Sequence, residues 1–291
     1  MNLAWNELNE NILHEKIQLK TTNRDALDMV KKFNNSSFSK NDLDEASYYI
    51  KSWPGQETVD LINKESKAKF PTKSFGDLDI QLEPKDFISY AYFLKQVEYK
   101  IAFDTTTFPF EWQAIQGFYA NGQAQKNNIQ ILSYTNDNKF IISLQLKDSA
   151  DQLILAKGYD MNTPNEVIDV INTNKGTVPM ENNDLFQAPI LHLDHHRDYT
   201  ELLQWLTNPW WEEYKITKMF ENIKFDMDEK WARVENEAVI GMGFAGAWWP
   251  PPKHKTFILN KSYRVVMKRT GAQNPYFVFW VKNTNVMKLA N

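Results

Sequence analysis

The chain has 291 residues, with 33 lysines and arginines against 37 aspartates and glutamates, and a formal net charge of −4 at pH 7. Its content of 42% hydrophobic and 24% charged residues is ordinary for a globular protein, which excludes a disordered chain. The acidic balance offers no basic surface for nucleic acid, and the absence of cysteine excludes disulfides, zinc–thiolate sites and thiol nucleophiles.

The N-terminal segment, residues 1–18, predicts an amphipathic helix. Its apolar residues recur at helical spacing: Leu3, Leu8, Ile12 and Leu13. The segment lacks the unbroken apolar core of a signal peptide, and no window of the chain approaches the roughly 18 apolar residues that a membrane span needs. We therefore expect a cytoplasmic protein without membrane contact, and the sequence leaves secretion by another route open.

Two further helices are predicted before the first strand. The first covers residues 23–34, with Asn23 as its N-cap. Four apolar residues are predicted to form its inward face: Ala26, Leu27, Val30 and Phe33. The second helix covers residues 55–70, and its predicted inward residues are Val59, Leu61 and Ile62.

Strand patterns begin at residue 86. Residues 86–103 are aromatic and β-branched and predict one long strand, and "NNIQILSYTNDNKFIISLQL" (127–146) predicts a hairpin. The later predicted elements are a helix over 163–174 capped by Thr163, a strand over 188–196, a short helix over 198–206, and a closing hairpin turning at Gly271 to Pro275. Helices mixed with mostly antiparallel strands predict an α+β fold with more than one sheet.

Several segments, in this order, resemble stretches of the serpin superfamily. "ETVDLINKESKAKFPTKSFGDLDIQLEPKDFISYAYFLKQVEYKIAFD" is similar to the serpin run of a helix, a connector and a central strand, with Tyr92-Phe93 and Phe103-Asp104 at the family's aromatic pair and Phe-Asp. "NIQILSYTNDNKFIISLQL" and "TFILNKSYRVVMKRTGAQNPYFVFWVKN" are similar to two serpin hairpins. "KFDMDEKWARVENEAV" is similar to the strand and hinge that open the reactive loop. The resemblance runs from about residue 15 to the end.

This resemblance implies an α+β, serpin-like mixed fold with a large main β-sheet, further antiparallel sheets and peripheral helices. Because the sequence shows no repeat or linker, we expect a single domain over residues 1–291. The family's N-terminal block of helices has no counterpart, so we expect either a shortened form of the fold or a surface that another chain supplies. The family also implies a protein partner, a protease being one kind, and neither enzymatic activity nor a cofactor.

In inhibitory serpins, a protease cleaves an exposed loop, and the N-terminal half of that loop enters the main sheet as an additional strand. By resemblance, the hinge of this loop consists of Glu229, Lys230, Trp231, Ala232, Arg233 and Val234. The reactive or recognition loop, within about residues 239–256, contains Met242, Gly243, Phe244, Ala245, Gly246, Trp248 and Trp249.

Physical features of the hinge disfavour the inhibitory mechanism. Strand alternation would place Ala232, Val234 and Asn236 on one inward face, where an unpartnered Asn236 costs about 1–3 kcal/mol. Trp231 stands where inhibitory members have a glycine, and the β-branched Val234 favours an extended strand already in the resting state. We therefore expect a non-inhibitory binding module that acts through its C-terminal loop. A suicide-type inhibitor of a serine or cysteine protease is the alternative.

Two other groups of residues are candidate sites. His192, Asp194 and His196 would project from one face of a strand, as a two-histidine, one-carboxylate metal site requires, but a solvated strand edge is the favoured interpretation and no metal is expected. Trp210 and Trp211 could form an exposed aromatic pair for ligand stacking or cover the mouth of the core.

Overall fold

The computed structural model of the chain describes residues 1–174, 176–232 and 254–290. They divide into two compact units. The first unit contains Met1–Lys95 and His195–Asn222, and the second contains Gln96–Asp194 and Ile223–Asn291. In the described residues, no helix is both long and apolar enough to cross a membrane.

The described helices are α1 (Asn2–Glu7) with a π-helical continuation (Leu8–Leu13), α2 (Arg24–Asn34), α3 (Gln56–Lys69), α4 (Gln123–Asn127) and α5 (Pro164–Thr173). The strands are β1 (Tyr48–Pro54), β2 (Phe87–Phe93), β3 (Val97–Glu98), β4 (Asp104–Phe110), β5 (Gln113–Tyr119), β6 (Ile129–Asn136), β7 (Lys139–Leu144), β8 (Asp151–Lys157), β9 (Val178–Pro179), β10 (Leu185–Pro189), β11 (Leu191–Asp198), β12 (Phe220–Met227), β13 (Trp231–Ala232), β14 (Thr256–Ile258), β15 (Tyr263–Arg269) and β16 (Phe277–Val281). The predicted α+β class is confirmed.

In the first unit, α1 and α3 pack against an antiparallel pair of strands, β1 and β2, and α2 packs against α1. Its core includes Trp5, Ile17 and Ala26, and the Trp5 indole donates a hydrogen bond to the side chain of Asn34. The predicted cap of α2 is confirmed, since the Asn23 side chain accepts from two backbone N–H groups of the first turn.

Two residues of the predicted inward helix faces point outward instead. Leu27 is 44% exposed and Leu61 is 40% exposed. The buried stripe of each helix is narrower than predicted: Ala26 and Val30 carry it in α2, and Val59 and Ile62 carry it in α3. A side chain one position from these lies about 100° away around the helix axis.

The second unit is built on sheets. A six-stranded sheet has the order β16-β15-β8-β7-β6-β9, and α5 covers one of its faces through Val167 and Ile171. A four-stranded sheet has the order β14-β10-β5-β4, and another has the order β11-β12-β13-β3. The predicted hairpin over 127–146 and the closing hairpin at Gly271 to Pro275 are both confirmed, as β6–β7 and β15–β16.

The predicted long strand over 86–103 is wrong, because the chain forms two shorter strands there. β2 ends at Phe93, opposite Tyr48, where its partner β1 begins, and β3 resumes pairing with a different strand, β13. A strand persists only as far as a partner supplies hydrogen bonds for its backbone groups.

Three shorter predictions also need correction. The helix over 163–174 is present, but the Thr163 side chain makes no capping bond. The strand over 188–196 is divided at Ile190 into β10 and β11, and the helix over 198–206 is a single 3-10 turn, Thr200–Leu202.

Candidate functional site: the hinge and the ends of the C-terminal loop

The first part of the predicted hinge forms a tight hairpin with β12. Met227 and Ala232 are paired across it, and the Asp228 N–H donates to the Trp231 carbonyl at 2.9 Å. The Asp228 carboxylate Oδ1 accepts from the backbone N–H groups of Lys230 at 2.7 Å and Trp231 at 3.0 Å. Burial raises the pKa of Asp228, although these two hydrogen bonds oppose the shift. The backbone N–H groups of Asp228, Lys230 and Trp231 therefore find their acceptors within the turn itself.

After this turn, β13 occupies an inner position between β12 and β3. Trp231 pairs with Glu98, and Ala232 pairs with Val97. Ala232 is only 2% exposed, whereas Trp231 is half-buried, in agreement with the predicted alternation.

The turn residues that precede β13 are also bound. The carbonyl of Lys230 accepts from the Tyr99 N–H at 3.1 Å, and that of Glu229 accepts from the Phe103 N–H at 2.7 Å. Glu229 and Lys230 thus accept hydrogen bonds from the segment that follows β3, and Trp231 and Ala232 are paired with β3 itself.

The remaining predicted site residues of this segment lie outside the described residues. They are Arg233 and Val234 of the hinge, and Met242, Gly243, Phe244, Ala245, Gly246, Trp248 and Trp249 of the loop.

Two aspartates bind the backbone at the C-terminal end of the loop, Lys255 and Thr256, which we call the return segment or return end. The Asp184 Oδ1 accepts from the Lys255 N–H at 2.9 Å, and the Asp137 Oδ1 accepts from the Thr256 N–H at 3.1 Å. The Leu185 N–H donates to the Lys255 carbonyl at 3.0 Å, which begins the parallel pairing of β14 with β10. Hydrogen bonds from the Tyr134 hydroxyl and from Thr256 lower the pKa of Asp137.

Sequence reasoning missed both aspartates. Each lies in a turn that precedes a strand, and an aspartate in that position is a weak signal because aspartate is common in turns of many kinds. Their partners lie 71 and 119 positions away along the chain, so no local pattern could connect them.

A buried lysine joins the end of β14 to the β6–β7 turn. Lys157 is 4% exposed, and its ammonium donates to the Ile258 carbonyl at 2.7 Å, the Asn260 side chain at 2.8 Å and the Asp137 carbonyl at 3.2 Å. These acceptors are uncharged, so burial lowers the pKa of Lys157 to about 8.

The Lys157→Met variant should be about 2 kcal/mol less stable than the wild type at pH 7, because three buried acceptors lose their donor. The folded pKa of about 8 lies below the unfolded value of about 10.4. Between these values the unfolded chain binds more protons, so the stability advantage of the wild type over the variant should grow as the pH rises from 8 to 10.

Urea unfolding at several pH values measures this difference. Lys282→Met, which removes an exposed lysine directly after β16, serves as the control and should change stability by less than about 0.5 kcal/mol. An advantage that shrinks above pH 8 would contradict the assignment.

The three candidate metal ligands have separate partners. His192 contacts Asp226 through Nδ1, and Asp194 forms an ion pair with Lys224 at 3.2 Å, both within the second unit. His196 belongs to the first unit and bonds to Asn222 at 2.6 Å and Asp198 at 3.1 Å. Within residues 1–174, 176–232 and 254–290, no three His, Asp or Glu side chains are grouped so that they could hold a metal ion.

The structure separates the two adjacent tryptophans of the first unit. The Trp211 ring packs against Phe87 at 5.5 Å and Tyr214 at 5.0 Å between centroids. Trp210 is 91% exposed. One of the pair therefore covers the core, and the other projects into solvent.

No family model matches the chain, and no curated protein matches it. Among solved structures, Serpin48 of the insect Tenebrio molitor, described as a highly specific serpin, has a TM-score of 0.50 at 12% identity, and the match covers 96% of this chain and 85% of Serpin48. The thermophilic serpin tengpin in its native state has a TM-score of 0.51 at 13% identity, covering 90% of this chain and 83% of tengpin.

Human thyroxine-binding globulin in complex with its ligand has a TM-score of 0.48 at 12% identity, and this chain spans 64% of its length. The similarity to Serpin48 and tengpin extends over most of both chains. The chain therefore has the serpin-like fold that the order of its sequence segments predicts.

Proposed function

We propose that this chain is a non-inhibitory, serpin-like binding module that contacts a protein partner through its C-terminal loop, about residues 239–256. The observation that carries this proposal is the position of β13. The hinge residues Trp231 and Ala232 already lie between β12 and β3 as an inner strand.

Trapping a protease by loop insertion requires free energy that is released only after cleavage. Strand residues that are already paired before cleavage contribute nothing to that release. Each backbone hydrogen bond contributes about 0.5–1.5 kcal/mol, and those of Glu229, Lys230 and Trp231 must break before the hinge can bend. The hinge is therefore held in a resting conformation.

The sequence of the loop supports a role in recognition. Trp248 and Trp249 supply large rigid contact areas of the kind that dominates protein interfaces, and the three prolines that follow stiffen the chain. The two ends of the segment are fixed in the second unit, by the pairing of Ala232 and by the hydrogen bonds of Lys255 and Thr256. Fixed ends reduce the conformational entropy that a partner must overcome.

The alternative is a suicide-type protease inhibitor. It is favoured by the same sheet order, because β13 stands where an inserted loop would begin its strand. The two functions differ in what happens after the loop is cut.

Cleavage of the loop within residues 241–246 should change the melting temperature by less than about 2 °C, which corresponds to about 1 kcal/mol in a chain of this size. The reason is that the hinge strand is already in place. Incubation with a panel of serine and cysteine proteases should yield cleaved chain on denaturing gels and no covalent adduct.

Ala238→Arg provides the control for loop insertion. After insertion, strand alternation would place Ala238 on the inward face with Ala232, so an arginine there would block insertion, whereas Glu237→Ala on the opposite face would not. A large rise in melting temperature after cleavage, present in the wild type and in Glu237→Ala but lost in Ala238→Arg, would establish the inhibitory mechanism instead.

A further inference from the structure

A hairpin of the first unit presents Trp210 at its tip. The Leu206 N–H donates to the Tyr214 carbonyl at 2.9 Å, and Trp205 forms an antiparallel bridge with Lys215, so these pairs form the base of the hairpin. Two consecutive turns make its tip: the Trp211 N–H donates to the Asn208 carbonyl, and the Tyr214 N–H donates to the Trp211 carbonyl. We call residues 207–213 the tryptophan tip.

The first of these turns holds Trp210 in an unfavourable backbone conformation. Pro209 occupies the second position of the turn and Trp210 the third, with a φ of +72°. Proline fixes its own φ near −65°, so this is a type II turn, whose third position ordinarily requires glycine or asparagine. A bulky residue in the left-handed region is a genuine outlier, and such outliers concentrate at functional sites.

The base of the tip is locked by a buried amide. Asn208 is 0% exposed, and its side chain accepts from the Gln18 N–H at 2.7 Å and donates to the Lys16 carbonyl at 2.8 Å. The Thr207 N–H adds a third hydrogen bond, to the Gln18 carbonyl. These bonds hold the turn against the strain at Trp210 and keep that indole directed outward.

The exposed surface of the tip is acidic. Glu212 and Glu213 are the two central residues of the second turn, and both are exposed. Within the part of the chain that the structure describes, neither forms an ion pair. The nearest lysine along the chain, Lys215, lies at the base of the hairpin opposite Trp205.

An exposed indole followed two and three residues later by two exposed carboxylates suits a guanidinium group. Arginine stacks on aromatic rings and donates paired hydrogen bonds to carboxylates, and tryptophan provides the strongest cation–π contact. We propose that the tryptophan tip is a second protein-binding surface, separate from the C-terminal loop, and that it recognises an arginine-rich segment of a partner protein.

Fluorine NMR of the protein labelled with 5-fluorotryptophan tests this proposal, with octa-arginine as the probe. Trp210→Phe identifies the Trp210 resonance. Trp112, which is 99% exposed at the β4–β5 turn, is the matched control. We expect octa-arginine to shift the Trp210 resonance at least about fivefold more than that of Trp112, whereas octa-glutamate shifts neither.

Two variants test the roles of the acidic charge and of the backbone strain. In Glu212→Gln/Glu213→Gln the shift of Trp210 should fall to that of Trp112. Trp210→Gly should melt no lower than the wild type, because glycine adopts a positive φ without strain, and it should no longer bind octa-arginine in a calorimetric titration. Equal shifts at Trp112 and Trp210 would show that the acidic protein attracts the peptide non-specifically. Such equality, or the absence of a shift at about 1 mM peptide, would overturn the proposal.

Discussion

Gly158→Ala should lower the free energy of unfolding by about 4 kcal/mol, which is a large effect for a single methyl group. Gly158 has a φ of +81°, where a side chain costs about 1–2 kcal/mol by itself. A Cβ at this position would also lie 2.1 Å from the Asn138 carbonyl oxygen and 2.9 Å from the Lys139 Cα. Both obstacles are backbone atoms of the β6–β7 hairpin, so no side-chain rotation can relieve the overlap.

Gly271→Ala is the matched control, because Gly271 has the same φ of +81° and no atom within 4 Å of a built Cβ. It should cost only the backbone term of about 1–2 kcal/mol. Urea unfolding of the two variants separates the two contributions. Equal losses would show that the β6–β7 turn moves aside and that the close approach at Gly158 is unimportant.

Asp184→Ala should lower the free energy of unfolding by about 3–6 kcal/mol and expose the return end of the C-terminal loop. Asp184 is 2% exposed, and its two carboxylate oxygens accept from the backbone N–H groups of Glu181 and Lys255. Hydrogen bonds to a charged group contribute about 1.5–3 kcal/mol each, and their removal leaves both donors without an acceptor. Unfolding in urea gives the loss, and the rate of tryptic cleavage after Lys255 reports the release of this anchor.

Two variants control for this effect. Asp184→Asn retains an oxygen for one of the two donors and should lose about half as much stability. Asp148→Ala removes an exposed aspartate that, within the described residues, accepts a single hydrogen bond, from the Ala150 N–H, and it should cost less than about 1 kcal/mol. If Asp184→Ala resembled Asp148→Ala in both stability and cleavage rate, the return end would not depend on Asp184.

The two proposed binding surfaces can be tested independently of each other. The C-terminal loop begins and ends in the second unit, and the tryptophan tip belongs to the first. Deleting the indole of Trp210 should leave the response to loop cleavage unchanged, and cleavage of the loop should leave the fluorine shift of Trp210 unchanged. A failure of one proposal therefore does not decide the other.

Local signals in the sequence were sufficient for several elements. The Asn23 cap with the helix that follows, and the turn between β6 and β7, were predicted correctly because cap chemistry and hydrophobic period act within about ten residues. The order of such segments was also sufficient for the serpin-like fold. The inward faces of α2 and α3 were predicted too widely, since the period does not state how wide a stripe the rest of the chain covers.

Only the tertiary structure decided the features on which the proposed functions depend. The division of residues 86–103 into β2 and β3 follows from where their partners end, and the inner position of β13 follows from pairing with a segment more than a hundred residues earlier. The anchoring of Lys255 by Asp184 and the outward direction of Trp210 have the same origin. A hydrogen bond between distant residues leaves no periodic trace in either segment, so it becomes visible only when the chain is folded.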